Sequence, residues 1–177
     1  CLRPIWNMPN QLVECVPNIS EGRDQSIIDA ISNACNDIAD AKLLGVEPDA
    51  DYNRTVLTIA GKPDAVSDAA FAIIKKSFEL IDMSKHSGEH PRMGAVDVCP
   101  FIPLSGISMD ECADLSKSLA KRVSNELGLP TFLYGSAASS RDRELLSDLR
   151  KGEYEGLREF RKWWSSFTRL WPYGLES

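Results

Sequence analysis

Short β-type runs alternate along this chain with longer segments of helical periodicity, and this alternation constrains the fold most. Residues 54–60 are rich in β-branched side chains and predict a buried strand. The segment after Asp24 carries apolar residues at i, i+3, i+4 and i+7, which predicts an amphipathic helix. We predict strands at residues 12–16, 41–47, 54–60, 95–104 and 131–134. We predict helices that follow Asp24, Gly61 and Ser108, and a last one at residues 141–150.

The order of these elements is β-α-β-β-α-β, followed by α-β-α. It predicts an α/β fold of the α+β kind, with a ferredoxin-like split βαβ core and an appended α-β-α unit. We expect a mixed sheet with helices on one face. The other face carries apolar and β-branched residues, so we expect a second sheet, a partner or another copy of the chain to cover it.

Composition narrows the class of protein without choosing a function. The chain has 177 residues, of which 43% are hydrophobic and 26% charged, and it has a net charge of −6. These values suit one soluble domain and argue against a nucleic-acid partner, and no apolar stretch approaches the ~20 residues that span a bilayer. Five scattered cysteines without a CxxC pair favour reduced thiols and a cytoplasmic location. We expect residues 1–7 to be an N-terminal extension, with Met8 as the natural start.

One loop, residues 85–97, holds both histidines of the chain together with side chains of both charges. Histidine is the usual proton carrier near neutral pH, so the loop suits a reaction site. Two exposed or merely hydrogen-bonded imidazoles would be the structural alternative. Gly88 and Pro91 oppose the helix that would direct both rings to one side, and no HExxH motif is present. We therefore expect no metal.

Four sequence blocks match a known family. They are VECVPNISEG at 13–22, DYNRTV at 51–56, HSGEHPRMGAVDVCPFIP at 86–103 and KGEYE at 151–155. Together they resemble the N-terminal subdomain of the formiminotransferase family over about residues 12–157. In that family, two α/β subdomains enclose a folate tunnel, which would explain the uncovered sheet face.

The resemblance implies transfer of the formimino group of N-formimino-L-glutamate to N5 of tetrahydrofolate, a step of histidine degradation. It implies tetrahydrofolate as co-substrate and no metal. The expected partners are these small molecules, together with a second copy in a homodimer or a separate C-terminal subdomain. Neither nucleic acid nor a membrane is expected as a partner.

The resemblance places the catalytic histidine on His90, where a single imidazole would act first as general base and then as general acid. Pro91 biases His90 toward an extended backbone, which would project its ring from the loop. Glu47 would orient the ring, and Arg54 would bind a glutamate carboxylate bidentately. Structural alternatives remain open, because Glu47 and Arg54 could be strand-end charges paired with each other. Four further residues are predicted as substrate contacts: Asn53, Lys85, His86 and Arg92.

The resemblance fades after Glu155. We predict a subdomain at residues 8–157 and a divergent basic and aromatic tail at residues 158–177, which holds three of the four tryptophans. We expect the second subdomain to be missing from this chain. A second hypothesis therefore stands beside the enzyme, namely a truncated, non-catalytic homologue that acts as a protein-interaction module.

Overall fold

One antiparallel sheet with helices packed on one face forms the fold of this chain. A computed structural model describes residues 11–138, 140–141 and 144–156. The strands are β1 (Leu12–Cys15), β2 (Asn18–Ile19), β3 (Ala41–Asp49), β4 (Arg54–Gly61), β5 (Val96–Val98) and β6 (Phe101–Ser105). The helices are α1 (Gln25–Asn33), α2 (Pro63–Leu80), α3 (Met109–Leu127) and the short α4 (Leu146–Leu149), with a 3₁₀ turn at Gly135–Ala137.

The sheet has the strand order of a split βαβ core. β1 and β2 follow one another along one edge of β4 and both pair with it. On their opposite edges, β1 pairs with β6 and β2 pairs with β5. β3 pairs with the other edge of β4. β4 therefore lies between β1 and β3 in the sheet, and the connection through α1 crosses over it. The expectation of a mixed sheet is wrong for the described residues, since each of their strand pairings is antiparallel. The α+β class and the ferredoxin-like order are confirmed.

Both interrupted strand lines break at a proline. Residues 16 and 17 separate β1 from β2, and residues 99 and 100 separate β5 from β6. Proline has no N–H to donate to a ladder, so it interrupts pairing where it falls. The two breaks are adjacent in the sheet, as a hydrogen bond of 3.2 Å from the Val16 amide to the Pro100 carbonyl shows. After Pro17 the chain pairs again as β2, which was not among the predicted strands.

Local sequence signals set the helix ends as predicted. Asp24 caps α1 by accepting hydrogen bonds from two backbone amides, at 2.9 and 3.3 Å. Pro63 is the first residue of α2, where its missing N–H costs nothing. Ser108 and Glu111 form a complete capping box on α3, and Gly128 ends that helix with φ 65°.

The core lies between the sheet and the helices. Val13, Cys15, Leu57 and Ile59 project from the sheet and are fully buried against α2 and its neighbours. Apolar side chains of α2 pack there too, whereas Phe78, near the end of the helix, is half exposed. In the described residues no helix is long and apolar enough to cross a membrane.

The appended unit differs from its prediction. Residues 131–134 form no strand, and the helix predicted at 141–150 is reduced to α4. Residues that favour β-structure form a strand only where a neighbouring strand can pair with them. The four residues after Pro130 have no such neighbour among the described strands. Leu145 is largely exposed, so the predicted apolar face is too small to bury a longer helix. The predicted 1–7 extension and the 158–177 tail lie outside the described residues.

The thiols provide a first testable prediction. Four cysteines in the described part are free, and Sγ of Cys15 lies 3.5 Å from Sγ of Cys99. Burial raises the pKa of Cys15 well above its usual value, which keeps this thiol protonated and unreactive. We expect titration with a thiol reagent to find five groups in denaturant but a slower reaction in buffer. A count of three in denaturant would reveal a disulfide and contradict the prediction.

Candidate functional site

The sheet face turned away from the helices carries a polar cluster, which we call the open-face cluster: Asn18, Glu47 and Arg54. Directly opposed residues of antiparallel strands project from the same face. Val56 of β4 is opposed by Glu47 on one side and by Asn18 on the other. Arg54 precedes Val56 by two residues and shares its face. The register thus brings together two predicted site residues, Glu47 and Arg54, with one that was not predicted.

The β3–β4 turn joins this cluster to the histidine loop through Asn53. This residue is buried and adopts φ 51°. Its Oδ1 accepts from the Gly22 amide at 3.0 Å, and its Nδ2 donates to the Ser87 carbonyl at 2.9 Å. A Cβ on Gly88 would lie 2.5 Å from the Tyr52 carbonyl oxygen, so only glycine allows this approach. Asn53 therefore has a structural role in holding the loop, and its substrate contact stays a prediction.

His90 lies on this loop beside the aromatic ring of Tyr52. The two ring centroids are 6.4 Å apart in an edge-to-face arrangement, and the guanidinium carbon of Arg54 lies 5.3 Å from the Tyr52 ring centroid. Burial lowers the pKa of His90 below its ordinary 6.5; Arg54 and Arg150 add to this effect, while Asp97 and Glu153 oppose it. The lowered pKa favours the neutral ring, which is the form that can accept a proton.

His86 is held by hydrogen bonds at both ring nitrogens. Arg92 donates from Nε to Nδ1 of His86 at 3.1 Å, and Nε2 of His86 lies 3.0 Å from the Asn53 carbonyl oxygen. Because Arg92 can only donate, Nδ1 is the acceptor and Nε2 carries the proton. Both nitrogens are thus engaged within the protein, which favours His90 over His86 as the proton carrier.

Arg92 ties the histidine loop to the segment after α4. Its side chain is largely buried; it donates to Glu153 at 2.6 Å and to Glu155 at 2.8 and 3.0 Å. The Tyr154 amide also donates to the Arg92 carbonyl at 2.9 Å. The hydrogen bonds to Glu155, first of all, raise the pKa of Arg92. A substrate contact by Arg92 stays a prediction, since these carboxylates already bind its guanidinium.

A second tie joins Asp97 to Arg150. The Asp97 side chain is 1% exposed, and its Oδ2 accepts from Arg150. Its Oδ1 accepts from the Met93 amide at 2.9 Å, which closes the turn after His90. The sequence analysis predicted neither Asp97 nor Arg150 as part of the site, although the KGEYE block begins directly after Arg150.

The structure does not bring Lys85 to this cluster. Its side chain is 83% exposed and pairs with Asp82, three residues earlier, at 3.0 Å. No group of three His, Cys, Asp or Glu side chains in the described ranges could hold a metal ion, and the absence of a metal stays a prediction.

The fold and the site define a ferredoxin-like α+β domain with a histidine loop beside the open face of its sheet. The sequence model of the formiminotransferase domain, N-terminal subdomain, matches residues 12–168, and this chain belongs to that family. It is similar to formimidoyltransferase-cyclodeaminase of Dictyostelium discoideum, with 55% identity over 150 residues, 85% of this chain and 28% of that protein. It is also similar to glutamate formimidoyltransferases of Streptococcus pyogenes serotype M1, at 46% identity, and Thermoplasma acidophilum, at 47%. It covers 50% of each of these two proteins, with 84% of its own length.

Proposed function

We propose that this chain is the catalytic N-terminal subdomain of a glutamate formimidoyltransferase. The reaction moves the formimino group of N-formimino-L-glutamate to N5 of tetrahydrofolate, in histidine degradation. Relatives that carry this name support the proposal. The observation that carries it is the partly buried His90 ring, whose pKa is lowered in part by Arg54 and which flanks Tyr52 together with the Arg54 guanidinium of the open-face cluster.

The chemistry needs one proton carrier that acts twice. N5 of tetrahydrofolate attacks the formimino carbon, a C–N bond forms, and N5 loses its proton to His90. The bond between that carbon and the glutamate nitrogen then breaks, and the protonated His90 returns the proton to the departing nitrogen. The proton and the electron pairs balance, and His90 ends the cycle neutral.

The open-face cluster supplies charges that suit this substrate. Arg54 would bind a glutamate carboxylate, since a guanidinium forms two parallel hydrogen bonds to one carboxylate. Glu47 lies exposed on the same face and would stabilise the imidazolium that forms in the cycle. Asn53, Lys85, His86 and Arg92 remain proposed substrate contacts, of which Asn53 and His86 act at least by holding the loop.

We expect the rate to fall in acid as His90 becomes protonated. Its pKa is lowered, so kcat/KM should stay high down to pH 6.5 and fall through a midpoint below that value. The ring signals of the two histidines can be titrated by NMR in parallel with the assay. Arg54→Gln removes a positive charge that lowers the pKa, so the His90 midpoint should rise in this variant. A wild-type midpoint above 6.5 would contradict the assignment.

The proposed partners follow from the family and from the sheet. Tetrahydrofolate is the co-substrate, and a second subdomain or another copy of the chain covers the open face. Exposed Leu44, Ile102 and Leu104 on β3 and β6 support such cover. We also propose a cytoplasmic site of action, consistent with the free thiols, and no role for nucleic acid or a membrane.

A direct assay separates this proposal from the interaction module. The chain is mixed with N-formimino-L-glutamate and tetrahydrofolate, with and without the second half of the Streptococcus pyogenes relative. Release of glutamate in either mixture supports the transferase. Binding of the second half without any release would favour the module.

A further inference from the structure

Asn18 is the one member of the open-face cluster to which no role has been given so far. It lies in the middle of the sheet, opposed by Val56 on β4 and by Val98 on β5. Its side chain is 6% exposed, and its Oδ1 is buried without a hydrogen-bond partner among the described residues. A buried carbonyl oxygen that lacks a donor is costly, and folded proteins rarely keep one without a reason.

A second unpartnered atom lies close by on the same face. Nε of Arg54 is also buried without a partner in the described part of the chain. Arg54 and Asn18 are diagonal neighbours across β4 and β2, a distance that long side chains can bridge. The cluster therefore holds an unpaired acceptor on Asn18 near an unpaired donor on Arg54, both of them buried, and Glu47 adds an exposed carboxylate on the other side of Val56.

We infer that Asn18 is a further substrate-binding residue, whose amide oxygen accepts a hydrogen bond from an N–H of the formimino group. This inference rests on the proposed function, because it takes N-formimino-L-glutamate as the ligand. The two ends of that molecule match the polarity of the cluster. Its formimino end offers N–H donors for Asn18, and its carboxylate end offers acceptors for Arg54. If the donor is the terminal nitrogen of the formimino group, this hydrogen bond distinguishes the substrate from free glutamate, whose ammonium group replaces only the inner nitrogen.

The test is Asn18→Leu in the full 177-residue chain, with ligand binding followed by NMR titration, which detects weak complexes. We expect N-formimino-L-glutamate to bind about 10-fold more weakly, the loss of one good hydrogen bond. Binding of L-glutamate should not change. The melting temperature should stay equal or rise, because an unsatisfied buried polar group has been replaced by an apolar one.

The matched control is Thr58→Val, which removes a polar group from the same face of β4, outside the cluster. It should leave both affinities unchanged. If the leucine does not fit, Asn18→Ala applies the same test, because it only deletes atoms. A clear fall in melting temperature with unchanged discrimination between the two ligands would make Asn18 structural and overturn the inference.

The remaining outcomes separate this inference from the proposed function. Equal binding of N-formimino-L-glutamate by wild type and both Asn18 variants overturns the inference and leaves the transferase intact. Wild-type chain that binds neither ligand, alone or mixed with the second half of the Streptococcus pyogenes relative, overturns both. Weaker binding in the two Asn18 variants, but not in Thr58→Val, supports both.

Discussion

Replacing His90 by Gln is expected to abolish formimino transfer, with a loss of about 10²–10⁴-fold in kcat. Glutamine keeps a polar side chain of similar size but cannot cycle a proton. The loss should appear in kcat more than in KM, because the ring acts on the reacting nitrogens and not on the glutamate carboxylates. Steady-state release of glutamate by the chain, mixed with the second half of the Streptococcus pyogenes relative, measures both constants.

His86→Gln is the matched control for His90→Gln, since both imidazoles lie on the same loop. Its ring is already engaged by Arg92 and by the Asn53 carbonyl, so its loss should loosen the loop and reduce kcat less. Near-normal turnover by His90→Gln would refute its role as the proton carrier. A larger loss in His86→Gln than in His90→Gln would transfer that role to His86.

Asp97→Ala is expected to cost about 3–5 kcal/mol in free energy of unfolding, as removal of one partner from a buried ion pair does. The change leaves the Arg150 guanidinium without its carboxylate and the Met93 amide without an acceptor. Urea denaturation followed by the far-UV circular dichroism signal gives the difference at constant m-value.

Asp114→Ala provides the comparison, because Asp114 pairs with Lys117 on the exposed side of α3. An exposed pair contributes at most about 1 kcal/mol, so this variant should unfold almost as the wild type does. Equal midpoints for Asp97→Ala and Asp114→Ala would show that the Asp97–Arg150 contact does not stabilise the fold.

Much of the fold follows from local signals that the sequence displays. Asp24, Pro63, the Ser108–Glu111 box and Gly128 act within one helical turn, so their outcome does not depend on distant partners. The run at residues 131–134 shows the opposite case. Its residues favour a strand, but a strand also needs a neighbour, which no local pattern reveals. Pro17 and Pro100 can be recognised in the sequence as positions that interrupt a strand. Their adjacency in the sheet depends on strand register, which the sequence does not reveal.

Some features of the site could likewise be predicted from the sequence, and others depend on contacts between distant residues. The family resemblance marked His90, Glu47 and Arg54, and the register places Glu47 and Arg54 on one face around Val56. The contacts of Arg92 with Glu153 and Glu155 join residues about sixty positions apart, so spacing alone could not predict them. Asn18 was not predicted as a site residue. The feature that marks it is a buried side-chain oxygen without a hydrogen-bond partner, which can be found only in the three-dimensional structure.

The position of β1 between β4 and β6 has a consequence for synthesis of the chain. Cys15 pairs with Ile59 on one side and with Phe101 on the other, so β1, which precedes the other described strands, is completed only when the last of them, β6, has been translated. The β3–β4 hairpin needs only neighbouring residues and can close within microseconds once it leaves the ribosome. Until residues 101–105 follow, one edge of β1 offers unpaired amides and carbonyls to any other strand. The nascent chain is therefore most prone to aggregation when β1 to β5 have left the ribosome and β6 has not.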